Sequence, residues 1–531
     1  MEALIAISVL AAAPTDGRGT DGKASNPILW ADVPDPCILR VGDTYYLSST
    51  TMHLSPGLPI MKSRDLVHWT LAGYAYETLA DTDALNLLNG KNAYGQGSWA
   101  SSLRYHEGTY IATTFSHLTG KTHVYRTRDI EKGPWTATAF QPALHDHSLW
   151  FEDGRAFMIH GSHDIRITEL VPDLSGIKPG GLDRVIVPEA SLVAGTPVGL
   201  PAEGSQIHKI RGRYYLFLIA WPKGGMRTAL VFRSDRLTGP YEGRIALRDA
   251  GIAQGGLVDT PGGAWYALFF QDRGAVGRVP HLVPVTWQDG WPVLGIQGRV
   301  PETLDLPPSP GMPGIVASDE FDYAPDYAPG KKTPLCPVWQ WNHNPDPRGW
   351  SVTRRRGFLT LIAGRVADDL LSARNTLTQR TFGPACSGRI ALDVGDLKDG
   401  DVAGLAVLQK HYGFIGVSRT GDAKAVIAVE AGSGTPRETE RIPLPADRST
   451  VFLRIDCDFR NRADRARFYW SLDGSSWTAA GPPHRMVYTI PHFMGYRFAL
   501  FHYATKTPGG MAHFDHFRLA GGRNPLETPD R

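Results

Sequence analysis

VGDTYYL at residues 41–47 has four counterparts further along the chain: EGTYIAT (107–113), DGRAFMI (153–159), RGRYYLF (211–217) and GGAWYAL (262–268). Each sets a glycine-centred turn in front of a strand of aromatic and β-branched residues, the signature of a hairpin. A second element follows each one, an outer strand that runs into a charged turn. Its copies are KSRDLVHW (62–69), RTRDIEKGPW (126–135), RITEL (166–170), RSDRLTGPY (233–241) and PVTWQDGW (284–291), the third being the least complete. A unit of about four strands cannot bury both faces of its own sheet. Arranging such sheets radially covers most edges and leaves a central channel. Five copies therefore predict a five-bladed β-propeller over residues 26–300.

Outside the repeats the chain changes character. Pro301, Pro307, Pro308, Pro310 and Pro313 rule out a central strand or a helix and mark a linker at 301–315. From 316 to 531 the alternating strands return without the repeat, as in FLTLIAG (358–364), GRIALDV (388–394), AGLAVLQ (403–409), VFLRIDC (451–457) and HFDHFRL (513–519), which predicts a β-sandwich. At the other end, residues 3–13 are apolar apart from Ser8, far short of the ~20 residues that span a bilayer. Ala11, Ala12 and Ala13 suit a signal peptide, whereas Glu2 stands where a basic residue belongs. Residues 1–25 are read as a signal or disordered segment, with a secreted or periplasmic location expected and a cytoplasmic one as the alternative.

Composition sets the class. A chain of 531 residues exceeds what one core supports, so two domains are expected. With 58 Gly, 40 Pro and 10% aromatic residues but few helix-period stretches, the fold class is all-β. Lys and Arg number 55 against 53 Asp and Glu, without blocks, so no basic stripe exists for a nucleic-acid backbone. Cys37, Cys336, Cys386 and Cys457 form no CxxC pair and are expected to be free thiols.

A propeller brings the inner strands of all blades to one axis, so groups that act together need only sit at inner-strand ends. Three acids do: Asp35 in WADVPDPC, Asp146 in LHDHSLWFEDG and Glu203 in LPAEGSQIHKI. Cleaving a glycosidic bond needs one carboxylic acid to protonate the leaving oxygen and one carboxylate on the opposite face to activate water or attack carbon. A third carboxylate beside the acid raises its proton affinity by like-charge repulsion. Taken singly, each acid also fits an ordinary turn or cap, as Asp35 between Pro34 and Pro36 does.

The residues also resemble a known family. NPILWADVPDPCILRVGDTYYLSSTTMHLSPGLPIMKSRDLVHW (26–69), SWASSLRYHEGTY (98–110), HDHSLWFEDG (145–154), AEGSQIHKIRGRYYL (202–216) and VGRVPHLVPVTWQDGWPVLG (276–295) are similar to glycoside hydrolase family 43, the β-xylosidases and α-L-arabinofuranosidases. WQWNHNPDPRGWSV (339–352) and LTQRTFGP (377–384) resemble the concanavalin-like jelly roll at the C-terminus of its xylosidase-like members.

The resemblance implies an inverting enzyme with Asp35 as general base, Asp146 as pKa modulator and Glu203 as general acid. Asp32 is the rival base. Inversion requires the Asp35 and Glu203 carboxyl groups to stand about 6.5–9.5 Å apart. Arg278 in VGRVPHL resembles the family's sugar-binding arginine, and Trp99 offers a ring face for a sugar. The implied activity is exo-acting release of xylose from β-1,4-xylo-oligosaccharides together with α-L-arabinofuranosidase activity. The alternatives are an α-L-arabinofuranosidase or arabinan-acting hydrolase as the main activity, or a sugar-binding propeller without chemistry.

No cofactor is required, but Ca2+ is a candidate ligand. Gln254 stands where many members place an axial histidine associated with calcium. Glu320 and Asp515 are expected to meet where the first and last sandwich strands close. The sandwich is read either as a carbohydrate-binding module or as a partner that narrows the propeller mouth, with FHYATKTPGG (501–510) as the candidate lid.

Overall fold

Hairpin turns set the propeller. Gly42, Gly108, Gly154, Gly212 and Gly263 all carry positive φ, between 60° and 83°, at the turn joining the first two strands of a blade. At three of these turns the preceding residue is left-handed as well (Glu107, Asp153, Arg211), which twists the strands the way a sheet requires. The computed structural model describes residues 22–323, 335–432, 434–490 and 492–521. The segment read as a signal peptide lies outside the described residues.

Five four-stranded antiparallel sheets form the blades. Their inner strands are Cys37–Val41, Ser101–His106, Ser148–Glu152, Val198–Ile210 and Ala253–Asp259. Side chains bind the inner strands to one another across the axis: the Cys37 thiol of blade one donates to Gln206 Oε1 of blade four (3.3 Å), and Arg104 of blade two donates to Leu149 O and Ser148 Oγ of blade three and to Ile207 O of blade four. The ring closes through the segment before blade one. Ala24–Ser25 pairs with Thr303–Leu304, and Asn26 bridges Leu282 and Pro301 with its side-chain amide. The propeller thus begins at residue 24, and the start of the Pro-rich stretch belongs to its closure rather than to a free linker.

Two packed sheets form the second domain. One runs in the order Arg437–Pro443, Ala423–Glu430, Gly413–Thr420, Asp401–Leu408, Arg497–Ala504, Leu377–Arg380, Gln340–Asn342. The other is centred on Met511–Gly521, Ala385–Asp393 and Thr450–Asp458. The first sheet gains its last strand from the propeller: Leu54–Ser55, in a blade-one loop, pairs with Trp341–Asn342. One apolar core runs through the junction, from Val33, Val276 and Val279 to Phe382, Phe498 and Phe517. The four cysteines are free. Among the described residues no helix is long and apolar enough to cross a membrane.

Candidate active site

Asp35 sits in a left-handed turn (φ 50°) locked between Pro34 and Pro36, two residues ahead of the blade-one inner strand. Asp tolerates this conformation better than most residues. The turn aims the carboxylate at two donors: Thr50 Oγ1 reaches Oδ2 (2.6 Å) and Arg278 Nη1 reaches Oδ1 (2.7 Å). Asp146 repeats the device ahead of the blade-three inner strand, with φ 46°. Glu203 differs from the sequence expectation. It lies within the blade-four inner strand, where pairing with Arg213–Pro222 slips three times between Val198 and Gln206. Such bulges re-aim side chains beside active sites, and here Glu203 is delivered to His145, whose Nε2 is 3.0 Å from Oε2.

Sequence reasoning missed His145, although HDH at 145–147 carries it next to Asp146. Ligand atoms of His145, Asp146 and Glu203 all lie within 4.8 Å of one another. Burial, then repulsion from Glu203 and Asp35, raises the Asp146 carboxyl to about 7, against attraction from His145 and Arg278. Burial alone would lower His145, but Asp146, Glu203 and Asp35 overcome it and raise the imidazole to about 9. The protons held by Asp146 and His145 therefore belong to the pair rather than to either residue alone.

Asp32 is tied into the domain junction by its contacts. It is 3% exposed, and its two carboxylate oxygens accept the backbone N–H groups of Arg278 (2.7 Å) and Gly495 (2.9 Å), which binds propeller to sandwich. A β-carbon on Gly277, whose φ is +99°, would overlap that carboxylate.

Arg278 is buried, and its fork is committed to Asp35 and, through Nε, to Asp272 (3.3 Å). It lies between the rings of Phe270 and Phe493, at 4.6 and 4.1 Å, which makes it first a positioner of Asp35. Trp99 is stacked on Phe115 and lies 4.7 Å from Phe493, as the support on which Phe493 rests.

Phe493 belongs to the sandwich, and with it comes a correction. The segment that reaches the site is MVYTIPHFMGY (486–496), not 501–510. Residues 501–504 are part of the strand Arg497–Ala504, and the turn beyond is tied down by Thr505 to Gly400 and Lys506 to Asp399. Tyr488, half-buried and within electrostatic reach of Arg278 and Asp35, comes from the same reaching segment.

The calcium expectations do not fit the donors present. The Gln254 side chain packs over Gly204, and the polar atoms nearest Gly256 on the same strand are already engaged: Gln206 Oε1 accepts the Cys37 thiol, and His208 Nε2 accepts Leu257 N–H. A hard cation needs six to eight oxygens. In the sandwich, Arg518 grips Glu320 with two hydrogen bonds (2.8 and 2.9 Å), and Asp515 pairs with His516 (3.0 Å). A guanidinium thus takes the place expected for the ion.

The comparisons with known proteins agree with this arrangement. The model of "Glycosyl hydrolases family 43" matches residues 24–292, and that of the "Beta xylosidase C-terminal Concanavalin A-like domain" matches 331–520. The beta-xylosidase of Formosa agariphila is 29% identical over 94% of this chain and 91% of its own. A non-reducing end alpha-L-arabinofuranosidase of Bacteroides ovatus is 29% identical over 76% of this chain and 77% of its own. The solved structure of a bifunctional GH43-CE protein of Bacteroides eggerthii is 54% identical with a TM-score of 0.91, covering 95% of this chain and 64% of that one. Here the chain spans under two thirds of its relative. With five blades, a jelly roll and both models matched in order, the chain belongs to glycosyl hydrolases family 43.

Proposed function

We propose that this glycosidase is inverting and exo-acting, releasing xylose from the non-reducing ends of β-1,4-xylo-oligosaccharides and also removing α-L-arabinofuranosyl groups. The observation that carries the reading is the division of charge in the site. One carboxylate, Asp35, is gripped by Arg278 and Thr50, while Glu203 is hydrogen-bonded to His145 in a second cluster that also holds Asp146.

In this reading Asp35 accepts a proton from water as the water oxygen attacks the anomeric carbon. Glu203 gives its proton to the departing oxygen as the glycosidic bond breaks. Asp146, titrating near neutrality, and His145 return a proton to Glu203 between turnovers. The wall of Phe493 and Trp99 supplies an apolar face beside the sugar and narrows the propeller mouth, which favours chain ends. The two sugars enter because the relatives' names include both a beta-xylosidase and an alpha-L-arabinofuranosidase.

The test is proton NMR of xylobiose and of an arabinosylated oligosaccharide during turnover. The expected first product is α-xylose from the β-linkage, with release lost in Glu203→Gln and in Asp35→Asn. Initial formation of β-xylose, or no release from either substrate, overturns the proposal.

A further inference from the structure

Arg380 and Arg497 stand directly opposite each other on neighbouring strands of the sandwich sheet that faces the propeller. Like charges in that relation repel. Both side chains are buried, at 1% and 3% exposure. Arg380 Nε donates to Asp32 O (2.8 Å), across the domain junction, while neither of its terminal nitrogens has a hydrogen-bond partner. Arg497 donates through Nε to Thr378 Oγ1 (2.8 Å) and through Nη2 to Gln340 Oε1 (3.0 Å), and its Nη1 has no partner. Three guanidinium nitrogens on two opposed, buried arginines thus lack a well-formed hydrogen bond.

Other polar groups around the pair do not supply the missing charge. The Tyr74 hydroxyl, which is within hydrogen-bonding reach of Arg380, gives its own proton to Pro337 O and carries no negative charge. His53 and His492, within electrostatic reach of Arg497, are buried imidazoles held neutral by desolvation. Asp32 is the carboxylate that faces both arginines, and its oxygens are already taken by backbone N–H groups. Two guanidinium charges therefore share one carboxylate. Burial and the neighbouring Arg380 bring Arg497 down to about 9. Water would satisfy the hydrogen bonds but not the charge, and an unpaired buried charge costs several kcal/mol.

We propose that a small monovalent anion, chloride, binds between Arg380 and Arg497 at the junction of propeller and sandwich. Arg380 Nη1 and Nη2 and Arg497 Nη1 have N–H groups to give it, and its charge offsets the guanidinium excess. The ion has a structural role. It allows Arg380 to hold Asp32, and Asp32 in turn fixes the backbone of Arg278 beside the base and of Gly495 at the root of the Phe493 segment.

The test uses the full chain exchanged into sodium gluconate, sodium chloride or sodium bromide at equal ionic strength, with the thermal midpoint as readout. Crystals grown in sodium bromide are measured at the bromine absorption edge. A saturable rise of about 2–4 °C in either halide over gluconate is expected at concentrations well above Kd, with an anomalous peak between Arg380 and Arg497. Arg497→Met should lose the halide increment. Equal midpoints in the three salts, an increment that persists in Arg497→Met, or bromide found at surface arginines alone overturns the proposal. Where Arg497→Met does not fold, the bromide map of the wild type decides.

Discussion

Replacing Asp146 by Asn should make the protein more stable at pH 8 and leave its stability at pH 4 unchanged, while removing its activity. The carboxyl's ordinary value is 3.8, and burial with repulsion from Glu203 and Asp35 raises it to about 7. Below 3.8 both folded and unfolded chains hold the proton, and the residue costs nothing. Between 3.8 and 7 the unfolded chain releases it and the folded one does not, so the native state loses ground as pH rises. Above 7 the penalty is complete. At about 1.4 kcal/mol per pH unit the gap corresponds to roughly 4 kcal/mol, an upper bound once the site relaxes. Asn keeps the shape and cannot ionise, so the urea midpoint, followed by tryptophan fluorescence, should rise at pH 8 by the equivalent of about 2–4 kcal/mol. Losing a group that maintains the acid's proton should lower kcat on xylobiose on the order of 10²–10³-fold. If the Asn variant gains nothing at pH 8, or gains as much at pH 4, Asp146 is not the strained carboxyl and the proton-sharing pair is wrong.

The remaining predictions concern the domain junction. Phe493→Ala removes the ring between Arg278 and Trp99 and should lower kcat/KM on xylobiose about tenfold or more, since about 1.4 kcal/mol of lost contact is a tenfold effect. Replacing 505–510 by a short turn should leave kcat/KM within about twofold, which steady-state kinetics can compare directly. Asp32→Asn puts an amide N–H against a backbone donor and should cost about 1–3 kcal/mol, seen as a lower Tm, while activity per folded molecule stays far above that of Asp35→Asn. Gly277→Ala meets both a φ of +99° and the Asp32 carboxylate, so a sharp fall in soluble yield is expected, whereas Gly263→Ala, with open space around it, should stay soluble.

What was legible in the sequence was what is local. A turn glycine, the Pro-Asp-Pro clamp at 34–36 and the HDH tripeptide each state their geometry within a few residues, so five hairpins and two of the acids could be placed before any strand was paired. Glu203 was found as a residue but not as a conformation, because a bulge is a slip of register between two strands and neither strand carries it alone. The junction lay further out of reach. Asp32 accepts from residues 246 and 463 positions away, and Arg278 reaches Asp35 across 243. The lid was misassigned for a related reason. Polarity and glycine suggested 501–510, yet a segment that closes over a buried arginine has to present apolar side chains, as MVYTIPHFMGY does with Phe493 and Met494. The two expected calcium ligands in the sandwich failed on charge. Their sequence showed acids at strand ends, but strand pairing brings Arg518 alongside Glu320, and a cation supplied by the chain removes the need for one from solution. The same logic runs in reverse at Arg380 and Arg497, where pairing sets two cations side by side and the chain supplies too few anions to balance them.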